Sequence, residues 1–144
     1  MAPLEQHLFA SQIAQLSRGW RAEMDRRLVD LGLSQARWLV LIYLSRFTYA
    51  PTQRELARKV GVEGPTLARL LDALEEQGMV SRQIVTGDRR AKQIFLEDKA
   101  RPLIAQIDAI SAQLRSELFQ GIDPQEIERC QQIHQMILAN MEQI

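Results

Sequence analysis

The chain has 144 residues, 46% of them hydrophobic and 25% charged, as expected of an ordinary soluble globular protein with one folding unit. Formal net charge is zero, so no global field draws it to nucleic acid, and its single cysteine rules out an intramolecular disulfide or a multi-cysteine metal site. No signal peptide is read, and no apolar run nears the roughly 20 residues of a membrane helix, so the expectation is a cytoplasmic protein with no membrane partner.

Charge is unevenly spread along the chain. Residues 52–92 hold eight Lys/Arg against six Asp/Glu, and residues 97–144 hold four against eight. Arginine outnumbers lysine fifteen to three. Guanidinium forks suit phosphates and guanine edges, and equally suit ordinary ion pairs.

Apolar residues at Leu4, Leu8, Phe9, Ile13, Leu16, Trp20, Met24, Leu28 and Leu31 predict one long amphipathic helix stopped by Gly32 in a left-handed cap. Ser34 is the expected N-cap of a buried helix from Gln35 to about Phe47. After Pro51, Thr52-Gln53-Arg54-Glu55 reads as a capping box that opens a short helix ending at Gly61. Pro65 suits the first turn of the next helix, Gly64 to Gln77, whose stripe is Leu67, Leu70, Leu71 and Leu74. Beyond Gly78 the period changes from 3.6 to 2. Val80–Ile84 and Lys92–Leu96 alternate about the turn Thr86-Gly87-Asp88, which predicts a hairpin with a basic tip. A long helix follows from about Asp98 to Gln120, and Asp123-Pro124 starts a last one striped by Ile127, Cys130, Ile133, His134, Ile137, Met141 and Ile144.

The expected fold is mainly α with a small β-hairpin wing: a winged helix-turn-helix over residues 34–97, and a helical dimerisation region from residues 1–33 and 98–144, together one continuous unit. The outer helices are too long and too striped for the small middle region to cover, so a second copy of the chain is expected against them. Two recognition helices would then face half-sites about 34 Å apart, one turn of double-stranded DNA.

Helix Gly64–Gln77 is the expected recognition helix. Gly64 and Pro65 let the backbone approach DNA, Thr66 can bond a base or a phosphate, and Arg69 can fork onto guanine or merely pair with Asp72 or Glu63. Thr52, Gln53 and Arg54 stand where a preceding helix commonly holds the phosphate backbone. Arg89, Arg90 and Lys92 form a basic wing tip suited to a narrow minor groove, with Asp88 pairing one of the arginines to stiffen it. Trp20, Trp38, His7 and His134 are read as structural, and Cys130 as a small packed hydrophobe, with redox sensing as the alternative. No cofactor, metal site or catalytic constellation is read, which argues against an enzyme; a winged-helix module that has lost DNA binding is the other alternative.

Three segments together resemble the MarR family of bacterial regulators, in particular its SlyA branch: residues 61–69 (GVEGPTLAR), 74–82 (LEEQGMVSR) and 87–92 (GDRRAK). Trp20-Arg21 and Arg37-Trp38 extend the likeness over nearly the whole chain. The resemblance implies a triangular homodimer on pseudo-palindromic operators, with Thr66 and Arg69 in the major groove, Arg89 in the minor groove, and Asp88 with Arg90 bracing the wing. It also implies a small aromatic carboxylate such as salicylate as effector, held by Arg18 on its carboxylate and by Trp38 against its ring. The chain departs from the family pattern at Leu96-Glu97, where Leu-Thr is usual, and at Ile42, where close relatives carry histidine. It also has no cysteine in its first helix, where the hydroperoxide-sensing branch places one.

Overall fold

A computed structural model describes residues 3–84 and 91–144. The chain divides into two compact units, residues 1–111 and 112–144.

The first unit begins with α1 (Pro3–Leu28), which tightens into a 3-10 turn (Val29–Leu31) and ends at Gly32, whose φ of 69° is the left-handed conformation expected there. Helix α2 (Arg37–Arg46) buries Trp38, Leu39, Val40, Leu41 and Leu44. It starts two residues later than its sequence suggests. Gln35 and Ala36 are both left-handed, with φ of 60° and 70°, and Ser34 is not the cap. The carboxylate of Asp25 takes that role from α1, accepting from the Ala36 backbone N–H at 3.2 Å and from the Trp38 indole N–H at 2.7 Å. A charged acceptor fixed by tertiary structure thus replaces a local hydroxyl.

Helix α3 (Gln53–Val60) opens with a complete capping box. Thr52 Oγ1 accepts from the Glu55 N–H at 3.1 Å, and the Glu55 side chain accepts from the Thr52 N–H, also at 3.1 Å. Gly61, at φ 82°, makes the turn into α4 (Gly64–Glu76), whose first turn carries Pro65. Leu56, Ala57 and Val60 of α3 and Leu67, Leu70, Leu71 and Leu74 of α4 are all buried, so the helix-turn-helix closes on its own core.

Strands β1 (Val80–Ile84) and β2 (Lys92–Leu96) pair antiparallel with Val80 opposite Leu96 and Ile84 opposite Lys92, as the alternation predicts. A third segment joins them. Thr52 makes an isolated bridge to Gln93, the Ile94 N–H donates to the Pro51 carbonyl at 2.8 Å, and Gln93 Nε2 donates to the Ala50 carbonyl at 2.9 Å. The hairpin is therefore tied to the entrance of α3.

Helix α5 (Ala100–Leu118) starts in the first unit with Ala100, Ile104 and Ile107 buried and continues into the second. In the second unit Asp123 caps α6 (Pro124–Met141), accepting from the Gln125 N–H at 2.9 Å. No side chain of α6 is buried, and Cys130 and His134 are exposed. The expectation that Cys130 packs as a small hydrophobe fails within one chain, because its helix face has no cover there. Among the described residues no helix is long and apolar enough to cross a membrane.

Candidate nucleic-acid interface

The backbone order helix, turn, helix, hairpin brings residues that are distant in sequence to the rim of one groove in the first unit. Its volume is about 990 Å³, and its walls include Thr52, Gln53 and Arg54 from the start of α3, Gly64 and Pro65 from the start of α4, and Lys92 from β2. Two helix N-termini thus open on it. Each leaves backbone N–H groups unused by its own helix and carries the positive end of the helix dipole, so the groove favours anionic groups. A Cβ at Gly64 would meet no described residue within 4 Å, so none of them covers the helix end there.

The capping box is held from a second side. The Tyr49 hydroxyl donates to Glu55 Oε2 at 2.6 Å, and this bond, with those from Thr52, holds the Glu55 carboxyl below its usual range. The same contact raises the Tyr49 phenol. Thr52 Oγ1 accepts within the cap, which leaves its hydroxyl hydrogen free to donate outward.

Thr66 is half-buried and Arg69 exposed on α4, and neither lines the groove. Asp72, which an ordinary surface pairing would give to Arg69, is bound by Arg82 instead. That leaves the guanidinium of Arg69 turned to solvent with no acidic partner among the described residues. Asp88, Arg89 and Arg90 lie outside the described residues. The proposed ligand pair is placed differently. Arg18 is exposed on α1, whereas Trp38 is 8% exposed with its indole N–H on Asp25, and neither lines the groove.

Arg82 is the groove residue that sequence reasoning passed over. It sits in β1, donates from Nε to Glu75 Oε2 at 2.9 Å, and binds the Asp72 carboxylate through its Nη2. The two carboxylates raise its already high pKa, so it carries its charge at any physiological pH. The signal available in the sequence was the pair Asp72 and Glu75, three apart and so on one ridge of α4, with a strand arginine a few residues later.

The MarR family pattern matches residues 31–91. The solved transcriptional regulator PA3341 is 60% identical over 94% of this chain and 99% of its own, with a TM-score of 0.86. MepR from S. aureus, solved with DNA, is 21% identical over 92% of this chain and 97% of its own, with a TM-score of 0.80. CouR from Rhodococcus jostii, solved with p-coumaroyl-CoA, is 24% identical over 90% of each chain, with a TM-score of 0.78. At those identities the last two share the fold.

Proposed function

The chain belongs to the MarR family of transcriptional regulators, and we propose that it acts as a homodimer that binds pseudo-palindromic operators in double-stranded DNA, in the manner of the SlyA branch. The observation that carries this reading is the groove where the starts of α3 and α4 meet Lys92. Thr52 and Gln53 hold phosphates there, with the free hydroxyl hydrogen of Thr52 as one donor. Gly64 and Pro65 let the start of α4 come close to the duplex, and Thr66 and Arg69 read base edges in the major groove. Arg89, Arg90 and Lys92 carry the wing to the minor groove, with Asp88 and Arg90 bracing it. MepR, which shares the fold, was solved with DNA, and this supports the reading.

Uncovered apolar side chains support the homodimer. Helix α1 exposes Leu8, Phe9, Ile13 and Leu16 along one side, and α6 exposes Leu138 and Met141 one turn apart. Single exposed apolar residues are ordinary, but runs of them along a helix mark a face that another chain covers. The effector we propose is a small aromatic carboxylate such as salicylate. Arg18 supplies an exposed guanidinium for its carboxylate, and Trp38 is the aromatic residue for its ring. CouR, bound to an aromatic acyl thioester, is a fold relative with a ligand of related chemistry. The protein is expected in the cytoplasm, where its operator is.

Selection from random DNA with the purified protein, repeated with salicylate, tests operator, half-site spacing and release together. A palindrome with half-sites about one turn apart is expected. Arg89→Ala should nearly abolish operator binding while the dimer persists. Binding by that variant unchanged within about twofold at ~150 mM salt would remove the wing assignment, and wild-type affinity that failed to fall with salt, at a slope of about −0.9 per phosphate contact, would count against the whole reading.

A further inference from the structure

We infer that Arg82 fixes the angle between the recognition helix and the wing, acting through Asp72 and Glu75 of α4 rather than by touching DNA. This deepens the operator-binding reading and rests on it.

Residue alternation shows that Arg82 is out of place as an ordinary surface charge. Val80, Arg82 and Ile84 share one face of β1, opposite Leu96, Ile94 and Lys92 of β2. Val80 is 2% exposed and Ile94 is fully buried, so this face turns toward the helices at its base, and it opens to solvent at Ile84, which is 64% exposed. An apolar residue at position 82 would continue that core. The position holds a guanidinium instead, with a side chain only 18% exposed, bound at once to two carboxylates one helical turn apart.

A single contact between strand and helix acts as a pivot. A planar, rigid fork that engages two acids on one ridge also fixes rotation about that pivot. Packing of apolar groups has no comparable directionality. Because Asp72 and Glu75 are 67% and 45% exposed, the pairing contributes little to global stability. Its consequence is directional.

The neighbouring contacts leave that one angle to be set. The end of α4 is already held, since Gln77 Nε2 donates to the Gly32 carbonyl at 3.1 Å and Lys99 Nζ to the Gln77 carbonyl at 2.9 Å. Strand β2 is tied to the entrance of α3 through Pro51 and Ala50. On the β1 side the Arg82 fork is the polar side-chain tie to α4 among the described residues, so the hairpin is braced on both edges between the two helices of the motif. Pairing also masks two carboxylates that would otherwise face phosphates from the recognition helix.

The test is a double-mutant cycle on the dimer with its selected operator. Arg82→Met should weaken operator binding about tenfold, with sedimentation and Tm close to wild type, and should cost less than about twofold in an Asp72→Asn/Glu75→Gln background. The salt slope should not change. A slope reduced by about 0.9 would instead make Arg82 a phosphate contact. An equal loss in both backgrounds would also overturn the brace. Arg82→Lys keeps the charge without the fork and should remain weak; full recovery would leave charge masking alone and sink the positioning role. Residual dipolar couplings on the DNA-free protein report the angle between α4 and the hairpin directly. Arg82→Met should broaden it, and an unmoved hairpin would refute the inference. If the wild-type protein selects no DNA, the operator reading fails and these couplings alone decide the brace.

Discussion

Helix α4 buries Leu67, Leu70, Leu71 and Leu74 within its own chain, whereas α6, which also carries a proline in its first turn and an apolar stripe, buries none of its side chains. The two helices look alike by periodicity, and the difference lies in what is available to cover them. Helix α4 has α3, α2 and β1 against it. Helix α6 leaves Ile127, Ile133 and Ile137 half-buried and Met136, Leu138 and Met141 open. A helix-turn-helix can thus complete its core from one short stretch of chain, while the outer helix leaves its apolar side chains without full cover. On the proposed dimer, the helix-turn-helix is stabilised within one chain, whereas the outer helix depends on protein concentration.

The sharpest way to break that contrast is to charge the open face. Leu138→Glu with Met141→Glu should turn the dimer into monomers in sedimentation and lower operator affinity by about a hundredfold or more, since one half-site loses its partner. A double variant that still sediments as a dimer would place the partner surface elsewhere. On the covered side, Leu71→Ala should cost about 2–5 kcal/mol in urea unfolding. That loss should reach the isolated module and the dimer alike; a loss that vanished at high protein concentration would mean that α4 also depends on a second chain.

The smallest expected effect concerns the cap shared by both aspects of the first unit. Thr52→Ala should cost about 1 kcal/mol of stability and, by removing an uncharged phosphate donor, weaken operator binding severalfold with the salt slope unchanged. Loss of stability with unchanged operator affinity would confine Thr52 to capping. The cap also gives an acid dependence. Because Glu55 is held below its usual range in the folded protein, its contribution is present above the unfolded carboxyl pKa and is lost as pH falls through the folded one. Glu55→Gln should therefore flatten the acid limb of stability against pH, and an unchanged limb would show that other carboxylates govern it.

Much of the fold was legible because it is local. Thr52 and Glu55 stand three apart and cap each other, Gly61 and Pro65 punctuate adjacent helices, and the alternation of Val80–Ile84 and Lys92–Leu96 matches the observed register. The candidate site was legible in part. Thr52, Gln53, Gly64, Pro65 and Lys92 do meet at one groove, because the turn at Gly61 and the hairpin return them there. Asp25 as the cap of α2 was not legible: the expected hydroxyl, Ser34, is local, and the carboxylate that replaces it lies eleven residues from Ala36. Nor was the pairing of Pro51 and Thr52 with β2, since a proline beside a helix start carries no strand signal.

The sequence by itself determined the order of elements, the caps at Thr52 and Asp123, the core stripe of α4 and the residues that resemble a regulator's reading head. These depend on neighbours within a turn or two, where backbone geometry leaves few choices. Only the tertiary structure decided which charges are spent inside the protein. Asp72 is three residues from Arg69, yet it binds Arg82, because the hairpin folds back along α4 and offers a fork with two carboxylates in reach. Arg69 is left turned to solvent by that choice. Pairing between elements is set by distances that no periodicity records.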